Sequence, residues 1–265
     1  MILFELRLLS RRMVSLAITL AATALVFVGV FPFMDESGLL AQLSEKLDLL
    51  PAFLIRMFGL AELPDFTSFP HYFNLCAFYM LVKLSTVSCL MGCESLISEE
   101  TDGTIEFLYA TPISRAYIAF SKLISRAIVI VALNVLFGII SYAAFFYMGE
   151  DPVFLLRSVS SAIIPQLCYL ITGMLISTLL RGSQSASTSS MSLFFFTFML
   201  GILPAMIGKW NKLEYLSPTS AVIRYDFMTV GFRPYWPQVN FLLVYSIIAL
   251  IITILIYSKK DMKLQ

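Results

Sequence analysis

The sequence has little charge. Asp, Glu, Lys and Arg make up 13% of its 265 residues, about half of their share in an average soluble domain. Hydrophobic residues make up 59%, so too few polar side chains remain to cover a surface that faces water. The formal net charge is +1 and no run of like charges occurs, which argues against a general attraction to nucleic acid. We therefore expect a protein of the lipid bilayer with no nucleic-acid partner.

Side chains for catalysis and metal binding are also scarce. His71 is the only histidine, and the four cysteines lie in apolar segments without the spacing of a zinc site or a disulfide framework. The sequence contains no His-Glu-x-x-His motif, no Gly-x-Ser-x-Gly elbow and no Gly-x4-Gly-Lys-Ser/Thr phosphate-binding loop. We therefore predict free, buried cysteines and a chain with no catalytic residue and no metal site.

Six long apolar runs are present instead. Each is close to the roughly 20 residues that a helix needs to cross the hydrocarbon of a bilayer. Lipid offers no partner for backbone N–H and C=O groups, so such runs are expected to be helical. The sequence thus predicts an all-α, polytopic membrane protein that forms one permease-sized domain over residues 1–265. The predicted spans are residues 14–33, 72–97, 127–148, 159–180, 186–207 and 239–257.

The basic residues predict the orientation in the membrane. Six spans place both termini on one side. If that side is the cytoplasm, ten of the 18 Lys and Arg residues fall in cytoplasmic segments, clustered at span ends where the positive-inside rule is strongest. Seven fall in outer segments, and Lys83 lies within a span. We expect a multi-pass protein of the cell membrane with cytoplasmic N- and C-termini.

The connection between the second and third spans carries the most informative motif. It begins with acidic residues, turns at Asp102-Gly103, and then has apolar residues at helical spacing over 104–110. Pro112 ends this short helix because proline cannot continue the hydrogen-bond ladder, and Ser114 can cap the next helix. An amphipathic helix of this kind suits a docking surface; the alternative is an ordinary interfacial loop with solvated charges. The candidate residues are Glu99, Glu100, Gly103, Thr104, Glu106, Phe107, Leu108, Pro112 and Arg115.

This connection resembles that of the permeases of type-two ATP-binding-cassette exporters. The resemblance rests on the Glu-rich approach, on Gly-Thr-x-Glu-x-Leu from Gly103, on Pro-x-Ser-Arg from Pro112, and on Lys122 seven residues after Arg115. Such permeases also have six spans, an N-terminal amphipathic helix at the inner leaflet, a re-entrant outer region and a similar tail. The matching segments here would be residues 2–12, 213–232 and 257–262.

The resemblance implies a permease subunit that forms the translocation path of an exporter. Residues 104–110 would be the coupling helix that seats in a groove of a separate ATPase subunit. Two copies of that ATPase would hold the ATP and Mg, and this chain would bind no cofactor itself. A second copy of the chain, or a paralogue, would enclose the path, so we expect a dimer.

Two charged residues lie in the second predicted span. Lys83 is near its middle, where a charge is costly and usually faces the bundle interior or water. Glu94 follows 11 residues later on nearly the same face, about 16 Å along the helix axis. The two residues either form a polar stripe along the path or the dimer seam, or Lys83 snorkels and Glu94 lies at the inner interface. For Glu94 the second interpretation is favoured.

Residues 182–190 consist almost entirely of small side chains and include Ser185 and Ser189. Small residues let membrane helices approach closely and form hydrogen bonds across the contact. We expect this stretch to pack against a neighbouring helix. The alternative is a polar mouth that contacts the cargo.

The sequence fits other classes of membrane protein less well than a permease. An ion-coupled secondary transporter or channel is the main alternative, but such carriers usually place carboxylates at mid-membrane, and here the only charge at that depth is Lys83. A membrane-embedded enzyme lacks its motifs, and a non-transporting scaffold is also compatible with the sequence. The apolar outer loops favour an amphipathic or lipid-like cargo, although nothing in the spans selects one substrate.

Overall fold

The computed structural model describes residues 1–47, 49, 54, 68–98, 114–180, 183–207, 211–223 and 235–259. Within these residues every regular element is helical, and six helices are long and apolar enough to cross a membrane. This confirms the predicted all-α, polytopic membrane fold. The elements are α1 (Ile2–Glu36), α2 (Leu39–Leu47), α3 (Phe69–Glu94), α4 (Arg115–Met148), α5 (Val153–Ser177), α6 (Ser183–Ile207), a 3₁₀ turn (Asn211–Leu216), α7 (Ser220–Ile223) and α8 (Trp236–Lys259).

The first helix is longer than predicted. The resemblance implies an interfacial helix over residues 2–12, before the first predicted span at 14–33, whereas α1 continues through both for 35 residues. No glycine or proline occurs between Ile2 and Gly29, so nothing interrupts the backbone hydrogen bonds at Arg12. At 1.5 Å per residue α1 is about 52 Å long, well beyond the roughly 30 Å of hydrocarbon. The N-terminal segment and the first span therefore form one continuous helix that extends beyond the hydrocarbon.

The fourth helix has a clear signal at each end. Ser114 caps its start, because the Ser114 hydroxyl accepts a hydrogen bond from the Tyr117 N–H at 3.3 Å, which confirms the predicted cap. Gly149 ends it in the left-handed conformation, with φ of 75°. The 34 residues between join the predicted cytoplasmic segment and the third span in one continuous helix.

The centre of the bundle is the pair α3 and α5. In their most apolar stretches, 61% of the α3 residues and 56% of the α5 residues are buried, against 17% for α1. The two helices cross at Gly92 and Gly173, whose Cα atoms face the opposite backbone. A Cβ added to Gly173 would lie 2.5 Å from the Cys89 carbonyl oxygen and 2.9 Å from the Cys93 nitrogen. Only glycine permits so close a contact, as is common where membrane helices cross.

The other helices surround this pair. α1 packs mainly along α4, α4 and α8 pack on α5, and α6 packs on α3. At the end of the bundle away from the N-terminus, phenylalanine rings join α1, α3 and α4, with centroid distances of 5.0 to 5.1 Å between Phe31 and Phe69, Phe69 and Phe145, and Phe73 and Phe145. Aromatic pairs at this separation stabilise the contact beyond area burial alone.

Short helices lie between α6 and α8, where the re-entrant region is predicted. The side-chain amide nitrogen of Gln238, at the start of α8, lies within hydrogen-bond distance of the carbonyl oxygens of Glu214 and Ser217 and of the hydroxyl of Ser220, which share its two N–H donors. These bonds hold the 3₁₀ turn and α7 against the end of the bundle. Residues 224–232 of the predicted region lie outside the described residues.

Candidate functional site

The connection that carries the sequence motif joins the end of α3 to the start of α4. Arg115, the first residue of α4, belongs to the described part of the chain. The predicted amphipathic helix over 104–110 lies outside it and stays a prediction. The structure describes both ends of this connection, up to Ser98 and from Ser114. The candidate residues outside the described part are Glu99, Glu100, Gly103, Thr104, Glu106, Phe107, Leu108 and Pro112.

A buried charge cluster lies beside these two ends and consists of Glu5, Lys122 and Arg126. Glu5 of α1 is 2% exposed, and Lys122 and Arg126 of α4 are 0% and 5% exposed. The Lys122 Nζ is 3.5 Å from one Glu5 carboxylate oxygen, and the Arg126 Nη1 is 3.6 Å from the other. Beside the cluster, the Ser125 hydroxyl is 3.4 Å from the Ile2 carbonyl oxygen. The start of α1 is thus bound to α4 by buried ionic and polar contacts.

The cations of the cluster also contact the end of α3. The Arg126 Nε donates to the Met91 carbonyl oxygen at 3.1 Å and the Arg126 Nη2 to the Ser95 carbonyl oxygen at 3.5 Å. The Lys122 Nζ donates to the Ser98 hydroxyl at 3.5 Å. Met91 lies in the last turn of α3 and Ser95 directly follows its end, where carbonyl oxygens lack partners within the helix and attract positive charge. The cluster therefore connects α1 to both helices that flank the connection.

Two further helices end at the same place. The hydroxyls of Ser95 and Ser177 lie 3.5 Å apart, which brings in the end of α5. The Arg115 Nη1 donates to the Ser258 carbonyl oxygen at 3.4 Å, which brings in the end of α8. An apolar contact accompanies these bonds and consists of Leu96, Ala119, Met174 and Tyr257. Five of the six spanning helices therefore contact one another at this end of the bundle.

The ionic contacts of Glu5 are not among the features predicted from the sequence. Lys122 and Arg126 are predicted only as basic residues near a span end, and Glu5 is not predicted to bind them. A signal was present, because Glu5 is the only acidic residue among the first 34 residues of the chain. Its partners follow far later in the sequence and could not be identified from spacing.

Lys83 extends from the middle of α3 toward α1. Its Nζ donates to the Thr19 carbonyl oxygen at 3.1 Å and to the Thr23 hydroxyl at 3.0 Å. The side chain is half-buried, and no carboxylate among the described residues forms an ion pair with it. Lys83 therefore occupies the seam between α1 and α3.

Glu94 is at the other end of the same seam. Its carboxylate accepts a hydrogen bond from the Arg12 guanidinium, and the pair is partly open to solvent, since the Arg12 side chain is 69% exposed. Glu94 is the last residue of α3. Lys83 and Glu94 do not contact each other, as their separation along the helix predicts.

The small-residue stretch of α6 has two faces. Ala186 and Ser190 are buried against α3, where the Ser190 carbonyl oxygen is 3.5 Å from the Cys89 sulfur. Ser185 is exposed and Ser189 is half-buried. Part of the stretch thus packs on a neighbouring helix through small side chains, and part faces away from the bundle. The four cysteines are free and buried, as predicted.

The described residues contain no group of three or more His, Cys, Asp and Glu side chains that could hold a metal ion. The polar groups at the end of the bundle that holds Glu5, Lys122 and Arg126 form ion pairs and hydrogen bonds between helices. This arrangement fixes helix ends relative to one another.

Comparison with known proteins identifies a family. A protein-family model described as "ABC-2 family transporter protein" matches residues 10–262. The match includes the connection of residues 99–113 and nearly the whole chain. A search of curated proteins gives no significant match.

Proposed function

The chain belongs to the ABC-2 transporter family, and we propose that it couples ATP hydrolysis on a separate subunit to the export of a cargo. Membership makes it a permease subunit of an ABC transporter, a multi-pass membrane protein and not itself an ATPase. In the proposal, residues 104–110 form the coupling helix that seats in the ATPase. ATP and Mg bind to that partner.

The observation that carries this proposal is the buried charge cluster. Glu5, Lys122 and Arg126 join α1 to the two helices that flank the connection. Removing one partner of a buried ion pair costs about 3–5 kcal/mol, because a charge is left uncompensated. A moderate push on the connection is therefore expected to move α1, α3 and α4 together instead of separating them. Such a unit carries a movement from the ATPase into the membrane.

The proposal assigns an orientation and an assembly. The end of the bundle that holds the buried charge cluster faces the cytoplasm, in agreement with the distribution of basic residues. Two ATPase copies bind there, one for each permease chain, and a second copy of this chain or a paralogue completes the path in the cell membrane. Lys83, Glu94, Ser185 and Ser189 line the path or an interface between helices.

A double substitution in the connection tests the coupling. In Glu106→Ala/Phe107→Arg we expect the permease to fold and reach the membrane, while the vanadate-sensitive ATPase activity of its complex falls to that of the ATPase subunit alone. The reason is that the variant loses an acidic and an aromatic side chain from the docking surface and gains a positive charge there.

A matched control carries the same kinds of change at the opposite end of α4. Tyr147 is 83% exposed and Glu150 is exposed at the start of the next connection, so Tyr147→Arg/Glu150→Ala should leave the ATPase activity unchanged. Wild-type, fully ATP-coupled activity in Glu106→Ala/Phe107→Arg would remove the coupling assignment.

A further inference from the structure

The ammonium group of Lys83 lies deep in the membrane-spanning part of the bundle. Lys83 is 14 residues from the start of α3 and 11 from its end, or about 21 and 16 Å. Its partners, Thr19 and Thr23, lie seven and eleven residues beyond Arg12 on the antiparallel helix α1, about 10 and 16 Å along the axis. Because Arg12 pairs with Glu94 at the end of α3, the ammonium stays near the depth of its own backbone and does not reach the interface.

The partners of Lys83 are neutral. A lysine ammonium has three N–H donors, and the described partners are one carbonyl oxygen and one hydroxyl of α1. Neither of them carries a negative charge, and a charge at mid-membrane is costly and marks a functional-site candidate. The chemistry that satisfies this group is an anion that approaches along the seam.

The seam around Lys83 is open to such a group. Thr19 is exposed and Tyr79, one helical turn from Lys83, is 38% exposed. The Tyr79 ring stacks on Phe27 across the seam at a centroid distance of 6.3 Å, and apolar side chains of α1 continue outward. At the proposed cytoplasmic end of the same seam, the Arg12 guanidinium pairs with Glu94 but is still 69% exposed, about 16 Å from Lys83 along α3. Part of this second cation therefore faces the outside of the bundle.

We propose that the α1–α3 seam binds the anionic head group of an amphiphile, with Arg12 at its entrance and Lys83 as the counter-charge at mid-membrane. The inference rests on the proposed function, since it makes the seam part of the transport path and assigns the cargo to anionic amphiphiles. The acyl chains would stay in the surrounding lipid while the charged head group passes from Arg12 to Lys83.

Lipid retention by the purified protein tests this assignment. The chain is placed in vesicles with equal amounts of phosphatidylglycerol and phosphatidylcholine, extracted in mild detergent, and the lipids that remain bound are measured by mass spectrometry. We expect the wild type to retain phosphatidylglycerol preferentially. Lys83→Met should lower that preference about fivefold, the effect of about one basic residue on an anionic lipid, and Lys83→Arg should keep it.

Two controls separate the seam from other positive surfaces. Arg11→Gln removes an exposed charge of α1 next to Arg12 and should leave the preference of the purified protein unchanged. Inorganic phosphate added during extraction should not displace phosphatidylglycerol if the site needs an amphiphile. An equal lipid ratio in the wild type and Lys83→Met would overturn the proposal. If Lys83→Met also lost the second permease copy in that case, Lys83 would belong to the contact between the two chains.

The result does not depend on ATP. If Lys83→Met abolishes the preference but no ATPase binds the chain, the seam is a lipid site and the proposed coupling fails. If an ATPase binds and is active but the lipid preference is the same in both proteins, the coupling stands and the cargo assignment fails.

Discussion

Replacing Gly173 by alanine tests the packing at the centre of the bundle. The added Cβ would lie 2.5 Å from the Cys89 carbonyl oxygen, 2.9 Å from the Cys93 nitrogen and 3.0 Å from the Gly92 Cα. All three atoms are backbone, so no side chain can rotate away. The backbones of α3 and α5 would have to move apart by at least about 0.5 Å before the shortest of these contacts became tolerable.

The expected loss of stability in Gly173→Ala is the difference between the cost of overpacking and the gain in helix propensity. Overpacking of a well-packed contact costs about 1–3 kcal/mol, and alanine recovers up to about 1 kcal/mol over glycine in a helix. Because the clash is with backbone, the cost of overpacking lies near the upper end of its range, and we expect Gly173→Ala to lower the stability by about 2 kcal/mol. Gly138→Ala is the matched control, because its Cβ would meet only the Val159 methyl groups, at 3.5 and 3.6 Å. The higher helix propensity of alanine should leave the stability of this variant unchanged or slightly raised.

Thermal unfolding in detergent provides the measurement. The four cysteines are free and buried, so a thiol-reactive fluorescent dye reports their exposure as the bundle opens. Gly173→Ala should melt several degrees below the wild type, and Gly138→Ala should not. Equal melting temperatures for Gly173→Ala and the wild type would refute the close crossing of α3 and α5.

Three other substitutions test polar contacts of the bundle with the same thiol assay. Glu5→Gln should destabilise the protein by about 3 kcal/mol, because the two buried cations lose their carboxylate partner; an unchanged melting temperature would argue against the buried charge cluster. Asn134→Ala should cost about 1–2 kcal/mol, since the two buried amides of Asn134 and Gln166 bond to each other. Replacing both by leucine should recover most of this loss, and no recovery would mean that the amides do not act as a pair. Exchanging the charges of the open pair between Arg12 and Glu94 should change the stability by less than about 1 kcal/mol, because solvent screens it; a large loss would show that the pair is buried in the assembled protein.

The sequence predicted the features that depend on local patterns. Six apolar runs of sufficient length gave the membrane fold, and the serine after Pro112 gave the cap at Ser114. The motif of residues 99–115 gave the resemblance to the exporter permeases, and the family match agrees with it. Each of these signals lies within a short stretch of residues, where spacing alone carries the information.

The features that the sequence did not reveal depend on helix pairing. Glu5 reads as one acidic residue near the N-terminus until α1 is placed beside Lys122 and Arg126. Gly92 and Gly173 are ordinary helix glycines until their backbones face each other. Both pairings are set by tertiary packing and leave no local pattern. The unbroken α1 was missed for another reason: the family resemblance implied a separate helix over residues 2–12, although no glycine or proline marks a break there.

The most direct test of the permease assignment is to purify the tagged chain from its native host in mild detergent, identify the proteins that accompany it by mass spectrometry, and measure their ATPase activity. The account predicts an ATP-binding subunit in the complex and activity that vanadate inhibits. A chain that purifies without an ATPase, when milder extraction also yields none, and that transports along an ion gradient without ATP would contradict the account and make it a secondary transporter.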